Sequence, residues 1–170
     1  MKTFCYFDYP IGRVGIASDG DAICGVYFDG DKDLEKLLKE DSSNSDATKE
    51  QDATKEKVAP IILKADKQLK EYFAGKRKDF DLTLKMNGTE FQKSVWNALL
   101  TIPYGETKSY KDIAVQIGNE KACRAVGMAN NRNPIAIIVP CHRVIGHNGT
   151  LVGYGGGLDI KQTLLDLEER

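Results

Sequence analysis

The sequence predicts an α+β chain in two parts, a small mixed sheet-and-helix domain over 1–86 and a largely helical domain over 87–170. Three observations carry this. Short apolar runs at the start are separated by turn signals, the composition shifts at Met86-Asn87-Gly88, and two short helical patterns meet at Gly118-Asn119 with the dimensions of a helix-turn-helix.

In the first part, Thr3-Tyr9, Gly12-Ala17 and Ala22-Phe28 read as strands of an antiparallel meander, because Tyr9-Pro10, Asp19-Gly20 and Asp29-Gly30 break them. A short helical pattern follows around Leu34, Leu37 and Leu38. The stretch 40–57 has almost no large apolar residue and carries Asp-Ala-Thr-Lys-Glu twice, at 46–50 and 52–56, so it is read as a mobile insertion. Pro60 opens a helix with Ile61, Ala65, Leu69 and Phe73 at helical spacing, and Gly75 stops it. Phe80, Leu82 and Leu84 then alternate as a half-buried strand.

In the second part, Thr89 caps a helix whose Phe91, Val95, Ala98 and Leu99 form one apolar stripe, and Ile102-Pro103-Tyr104-Gly105 ends it. Ser109 and Asp112 form a capping pair for a helix over 110–117, Gly118 closes that helix, and Asn119 is placed to cap the next, over 120–130. An ordinary helical hairpin fits the same pattern. What favours a docking helix is the small side chains of Ala122, Cys123, Ala125, Gly127 and Ala129, with Arg124 projecting among them.

Composition narrows the function classes. The longest uncharged apolar run, Pro134 to Cys141, is far short of the ~20 residues of a membrane-spanning helix, and no secretory signal is visible, so a cytoplasmic protein without a membrane partner is expected. The net charge of -1 argues against strong non-specific nucleic-acid binding. Yet the stretch 91–150 holds seven Lys or Arg against three Asp or Glu, a local +4, enough for a few phosphate contacts and equally compatible with an ordinary mixed surface. Cys5, Cys24, Cys123 and Cys141 lack the close pairing of a zinc ribbon or redox motif and are expected as free thiols, each of them core, ligand or nucleophile.

One cysteine is placed for chemistry. The β-branched run Ile135 to Val139 suits a buried strand that delivers the chain to Pro140-Cys141-His142-Arg143-Val144. Pro140 fixes its own φ and biases Val139 to an extended form, so backbone positions Cys141. A thiol with an ordinary pKa near ~8.5 needs a basic or cationic neighbour to act as a nucleophile, and His142 and Arg143 are the candidates. Consecutive side chains diverge, so His142 reaches the sulfur through a water or an irregular turn. A buried inert cysteine beside a surface histidine is the alternative. The chain has two histidines, His142 and His147, and adjacency favours the first as base. Downstream, Gly153-Tyr154-Gly155-Gly156-Gly157 lets backbone N–H groups approach a ligand or serves as a flexible connector. The last segment, Leu158 to Arg170, offers Leu158, Leu164, Leu165 and Leu167 for packing, with Glu168 near its end.

Taken in order, these residues resemble the O6-alkylguanine-DNA alkyltransferase family, the methylated-DNA–protein-cysteine methyltransferases. Its Pro-Cys-His-Arg-Val signature is here 140–144, and Phe91-Gln92-Lys93-Ser94-Val95-Trp96, Ile102-Pro103-Tyr104-Gly105-Glu106-Thr107, Ser109-Tyr110, Arg124-Ala125-Val126-Gly127 and Asn133-Pro134 also match. The first half matches in its pattern of elements alone.

The resemblance implies a ribonuclease-H-like first domain and a second, winged-helix or helix-turn-helix-like domain for DNA binding and catalysis. It implies suicidal, single-turnover DNA repair, in which Cys141 attacks the alkyl carbon on guanine O6 and keeps it. His142 would relay the thiol proton through a water, with Glu168 orienting the imidazole, and Tyr110 would assist the departing guanine and crowd its phosphate. Arg124 would replace the base flipped out through the minor groove, with Ala125 and Gly127 on the docking helix. Asn133 would tie that helix to the active-site segment, and backbone at Cys141, Val144 and Gly155 would read the purine. The implied partner of this monomer is double-stranded DNA carrying O6-alkylguanine, with O4-alkylthymine as a second candidate lesion, and no cofactor is required. Some animal members hold zinc in the first domain. No histidine precedes 142 here, so no metal is expected and Cys5 and Cys24 are read as core.

Three rivals differ in outcome. An alkyltransferase-like lesion binder puts another residue at the nucleophile position, a plain DNA-binding module would keep all activity without Cys141, and a cysteine hydrolase would turn over.

Overall fold

In the computed structural model, which describes residues 2–41 and 58–170, the chain forms two compact units, 1–85 and 86–170, each built of both helix and strand. The repeat-bearing segment 40–57 lies outside the described residues except for its first two positions.

The first unit is a meander of β1 (Lys2–Tyr9), β2 (Gly12–Asp19) and β3 (Ala22–Phe28), antiparallel in the order β1-β2-β3, followed by α1 (Lys32–Asp41) and α2 (Pro60–Phe73). β2 and β3 are buried along most of their length, β2 as the central strand and β3 at the edge with both α1 and α2 against it. α2 lies against all three strands through Ile62, Ala65, Leu69 and Tyr72. Its buried face is thus one residue round from the predicted stripe at two positions, with Ile62 and Tyr72 inward where Ile61 and Phe73 were expected. Asp66 on that face is buried but satisfied, because the Tyr9 hydroxyl donates to it at 2.7 Å and Lys70 Nζ at 2.6 Å. The predicted strand at 80–84 is reduced to a single parallel bridge, Leu84 to Ile23, with Ile23 N–H donating to Thr83 O and Lys85 N–H to Ile23 O, both at 2.8 Å.

The second unit comprises α3 (Glu90–Leu99), β4 (Lys108–Ser109), α4 (Tyr110–Gln116), α5 (Cys123–Asn131), a 3-10 turn (Cys141–Arg143), β5 (Val144–Ile145) and α6 (Leu158–Glu168). α3 and α4 start at the caps expected, Thr89 and Ser109; Ser109 and Asp112 form the predicted pair, and at Thr89 the Gln92 side chain completes a capping box that was not predicted. Gly118 closes α4 at φ +78°, its N–H donating to Val115 O at 3.0 Å. Asn119 does not cap α5. The Asn119 carbonyl instead accepts the Ala122 N–H at 3.0 Å in an extra turn, so α5 begins later than predicted, at Cys123.

Two connections position the site. β4 and β5 run parallel with Lys108 opposite Val144 and Ser109 opposite Ile145, so the start of α4 sits beside the segment that leaves the 3-10 turn. α5 is anchored from behind by the buried Trp96, whose Nε1 donates to Ala129 O at 2.8 Å.

Candidate active site

The apolar run that leads to Cys141 is buried as predicted but is not a strand. Residues 135–139 coil through a tight turn with Ile137 at φ +69°, Ile138 N–H donating to Ala136 O at 2.8 Å and Val139 N–H to Ile135 O at 3.0 Å. Asn133 makes this possible by doing the work of a neighbouring strand. Its Oδ1 accepts the Ile135 N–H at 3.0 Å, and its Nδ2 donates to Val139 O at 2.8 Å and Ile135 O at 3.4 Å. A β-branched residue at positive φ is costly, and it persists here because these bonds over-determine the backbone.

The turn presents Cys141 with the sulfur nearly covered, the residue being 5% exposed. From the C-terminal end of α5, Asn130 Nδ2 donates to the Cys141 carbonyl at 3.3 Å. Burial pushes the thiol above its ordinary pKa, and the Asn133 amide, the Lys161 charge and the Tyr154 hydroxyl pull part of the way back. At rest the group is therefore a neutral thiol.

Its neighbour His142 is fully buried, which removes the surface-histidine alternative. Nε2 lies 2.8 Å from Glu168 Oε1. Burial works against ionisation of Glu168, but bonds from His142 and Arg143 outweigh it and bring the carboxyl down to about 2. An ionised carboxylate only accepts, so Nε2 carries the proton in that pair. Burial also holds the imidazole below its ordinary pKa against the pull of Glu168. A neutral ring protonated on Nε2 leaves Nδ1 with a free lone pair, and Nδ1 is a buried atom with no hydrogen-bond partner among the described residues. The arrangement is a base with its orienting carboxylate behind it, and Arg143 supplies the countercharge.

Arg143 does not face the sulfur. Its Nε and Nη2 clamp Glu168 at 3.0 and 2.7 Å, and Nη1 donates to Ile102 O at 2.7 Å. The cation nearest in effect to Cys141 is Lys161, which sequence reasoning missed. It is fully buried on α6, with Nζ donating to Val144 O at 2.6 Å, Val152 O at 3.2 Å and Gly153 O at 3.4 Å. Burial lowers its pKa and Cys141 raises it. A signal was present in the sequence, since Lys161, Leu164 and Glu168 share a helical face by their spacing and are the buried residues of α6. Leu158, expected to pack, is 45% exposed.

Of the remaining candidates, Tyr110 begins α4 close enough to Cys141 for the thiol to raise the phenol pKa after burial, and its hydroxyl donates to Val152 O at 2.7 Å. A Cβ at position 127 would just reach its ring, at 3.8 Å. Val144 is fully buried directly after the turn, whereas Gly155 is exposed in the loop before α6. Arg124 and Ala125 are exposed on α5, with Gly127 half-buried. The structure thus brings Cys141, His142, Glu168, Asn133, Val144 and Tyr110 together, and sets Arg124 and Ala125 on an open helix face. Among the described residues no His, Cys, Asp or Glu side chains cluster as metal ligands would, and no helix is long and apolar enough to cross a membrane.

Residues 3–86 match the ribonuclease-like domain of 6-O-methylguanine DNA methyltransferase, and residues 90–170 match its DNA binding domain. The chain belongs to this methyltransferase family. Relatives named methylated-DNA–protein-cysteine methyltransferase include one from Methanosarcina acetivorans, 52% identical over 97% of both chains. Another, from Methanosarcina barkeri, is 66% identical over 64% of this chain and 69% of its own length. Among solved structures, the O6-methylguanine methyltransferase of Mycobacterium tuberculosis has 44% identity and a TM-score of 0.82, covering 99% of this chain and 93% of that one. The same mycobacterial protein solved in complex with DNA has 45% identity and a TM-score of 0.82, covering 98% of this chain and 92% of that one. The family's fold accounts for both units, the sheet-bearing first and the helical second.

Proposed function

We propose that this chain repairs DNA by moving the alkyl group of an O6-alkylguanine irreversibly onto Cys141, one group per protein molecule, as a monomer acting in the cytoplasm. The observation that carries this reading is the pairing of a buried thiol with a buried neutral imidazole whose far nitrogen is fixed by Glu168 at 2.8 Å. Relatives named for methylated DNA, and a mycobacterial relative crystallised with DNA, support the substrate.

The geometry supports the following steps. The thiol proton passes to His142 Nδ1 by way of a bridging water. The sulfur then attacks the alkyl carbon in line with the C–O6 bond, a C–S bond forms as C–O6 breaks, and the electron pair leaves with the guanine. Tyr110 hydrogen-bonds the purine and eases its departure, with protonation restoring neutral guanine. Backbone at Cys141, Val144 and Gly155 reads the purine edge, and Asn133 holds the turn that aims the sulfur. The carbon is out of reach in a stacked base, so the nucleotide must rotate outward at a cost of about a few kcal/mol. Arg124, exposed on α5, fills the gap through the minor groove, with Ala125 and Gly127 permitting close approach. O4-alkylthymine offers the same electrophilic carbon and is a second candidate substrate. Four free cysteines suit a reducing compartment.

Mass spectrometry after mixing the protein with excess duplex containing O6-methylguanine tests the reading. One added methyl on Cys141 is expected. An unmodified Cys141, or release of the methyl with continued turnover, refutes it, and Cys141→Ala is expected to bind the duplex without consuming the lesion.

A further inference from the structure

Cys141 and His142 share one peptide unit, and its carbonyl is held from outside the turn. The Cys141 N–H donates to Val139 O at 2.8 Å and the Cys141 carbonyl accepts the Val144 N–H, so these two bonds stay within 139–144. A further donor reaches the same carbonyl from α5, the buried Asn130 Nδ2 at 3.3 Å. A carbonyl only accepts, so the amide nitrogen must face it. This leaves Asn130 Oδ1 as a buried acceptor with no hydrogen-bond partner among the described residues.

We propose that Asn130 is a positioning residue, which by holding the carbonyl of the shared peptide sets the angle at which the Cys141 sulfur meets the His142 proton relay. The six atoms of a peptide unit are coplanar. Rotating this one changes ψ of Cys141 and φ of His142 together, and swings the two side chains relative to each other. Packing alone does not call for an amide at position 130. An aliphatic side chain there would carry no unpaired acceptor, and the Cys141 carbonyl would keep the Val144 N–H. What the amide adds is a direction for the carbonyl, obtained at a cost in stability, the pattern expected where a local rule gives way to function. Asn130 also lies on the helix that carries Arg124, so this bond joins that helix to the reacting pair. The inference deepens the reading above and rests on it for the role of His142 as proton acceptor.

Iodoacetamide labelling of Cys141, followed across pH by peptide mass spectrometry, provides the test in a double-variant cycle with His142→Ala. Asn130→Leu is expected to slow labelling at neutral pH roughly 2- to 10-fold, the range one neutral hydrogen bond is worth in an equilibrium. It should also move the profile upward, toward that of His142→Ala. The substitution changes no charge. The ionisable groups that act on the pair, Lys161 and Glu168 of α6, Arg143 of the turn, Tyr110 of α4 and Tyr154 of the loop before α6, all stay in place, so a moved profile reports alignment. In the His142→Ala background the same change should slow labelling less than about 2-fold, since no relay is left to align. Equal slowing in both backgrounds marks a bond that merely holds the turn and overturns the proposal, as does an unmoved profile or faster labelling. Asn130→Ala, which drops the amide without adding bulk, should reproduce the pattern, and a different pattern also overturns it. No alkylguanine is present, so failure here leaves the methyl-transfer test to decide the proposed function separately.

Discussion

Replacing Glu168 with glutamine puts the buried charge network under direct strain. Oε1 serves His142 Nε2 at 2.8 Å and Arg143 Nη2 at 2.7 Å, and Oε2 serves Arg143 Nε at 3.0 Å. The amide keeps one acceptor and turns two donor hydrogens toward a site that already holds only donors. Arg143, 6% exposed, keeps Ile102 O at 2.7 Å and its position over the Tyr104 ring. Removing one member of a buried pair costs about 3–5 kcal/mol because the other charge stays buried. The titration gives a similar figure. A carboxyl brought from 4.5 to about 2 reflects ~3 kcal/mol of preference for the ionised form.

The assay is built into the chain. Its single tryptophan, Trp96, is 1% exposed in the same unit as the site, so its fluorescence in urea follows the unfolding of that unit. With a slope of ~1–1.5 kcal/mol/M, the midpoint of Glu168→Gln should fall by about 2–5 M. Adding Arg143→Met removes the stranded charge and should recover most of the loss. Methyl transfer should stay slow in both, by about 10- to 100-fold, since a charge-assisted bond worth ~1.5–3 kcal/mol no longer backs His142. A single-variant cost below ~1 kcal/mol, or a double variant no more stable than the single, would refute the reasoning.

Arg124→Ala should slow repair in duplex DNA far more than reaction with free O6-alkylguanine, because only the duplex leaves a vacancy in the stack; equal slowing on both discards that role. His142→Ala should move the pH profile of Cys141 methylation upward, the thiol having lost its proton acceptor, and single-turnover rates across pH check it. Acid should weaken the second unit in two overlapping stages. Unfolding frees His142 to take up a proton below its ordinary 6.5, so stability starts to fall there. The Glu168 contribution, complete above its ordinary 4.5, is lost as pH drops toward about 2. A Trp96 urea midpoint that rises between pH 6.5 and 4.5 contradicts that sign.

How much of this was legible in the sequence varied with how local the determining physics is. The helix caps at Thr89 and Ser109, the closure at Gly118 and the three strands of the meander all depend on residues within a turn of one another, and all are seen. The Ile135–Val139 run was misread because its hydrogen-bond partners are not on another strand. They are on the Asn133 side chain, and β-branched composition gives no hint of that substitution. Asn119 was misread because its carbonyl, and not its side chain, takes the next turn. Cys141, His142 and Glu168 were visible as a group only through the resemblance, since 26 residues separate the imidazole from its carboxylate. Lys161 was missed for a physical reason. A lysine is rarely buried, and what makes it tolerable here is three backbone carbonyls from two different segments, which only the fold supplies.

The proton balance of the proposed reaction explains why such a site is used once. At rest Cys141 and His142 are both neutral, and Glu168 is matched by Arg143. Passing the thiol proton to His142 moves charge within the buried site without adding any, so the interior never has to hold a net new ion, and Lys161 favours the thiolate that results. When guanine leaves and is reprotonated, the imidazole can return to its starting state, and every group except one is where it began. The exception is the sulfur, now a neutral thioether. It has no proton for His142 to take, and its methyl carbon faces no better nucleophile and no better leaving group. The same burial that makes the thiol a quiet resting group keeps soluble thiols from reaching that carbon, so the protection of Cys141 before reaction and its permanence afterwards have a common structural cause.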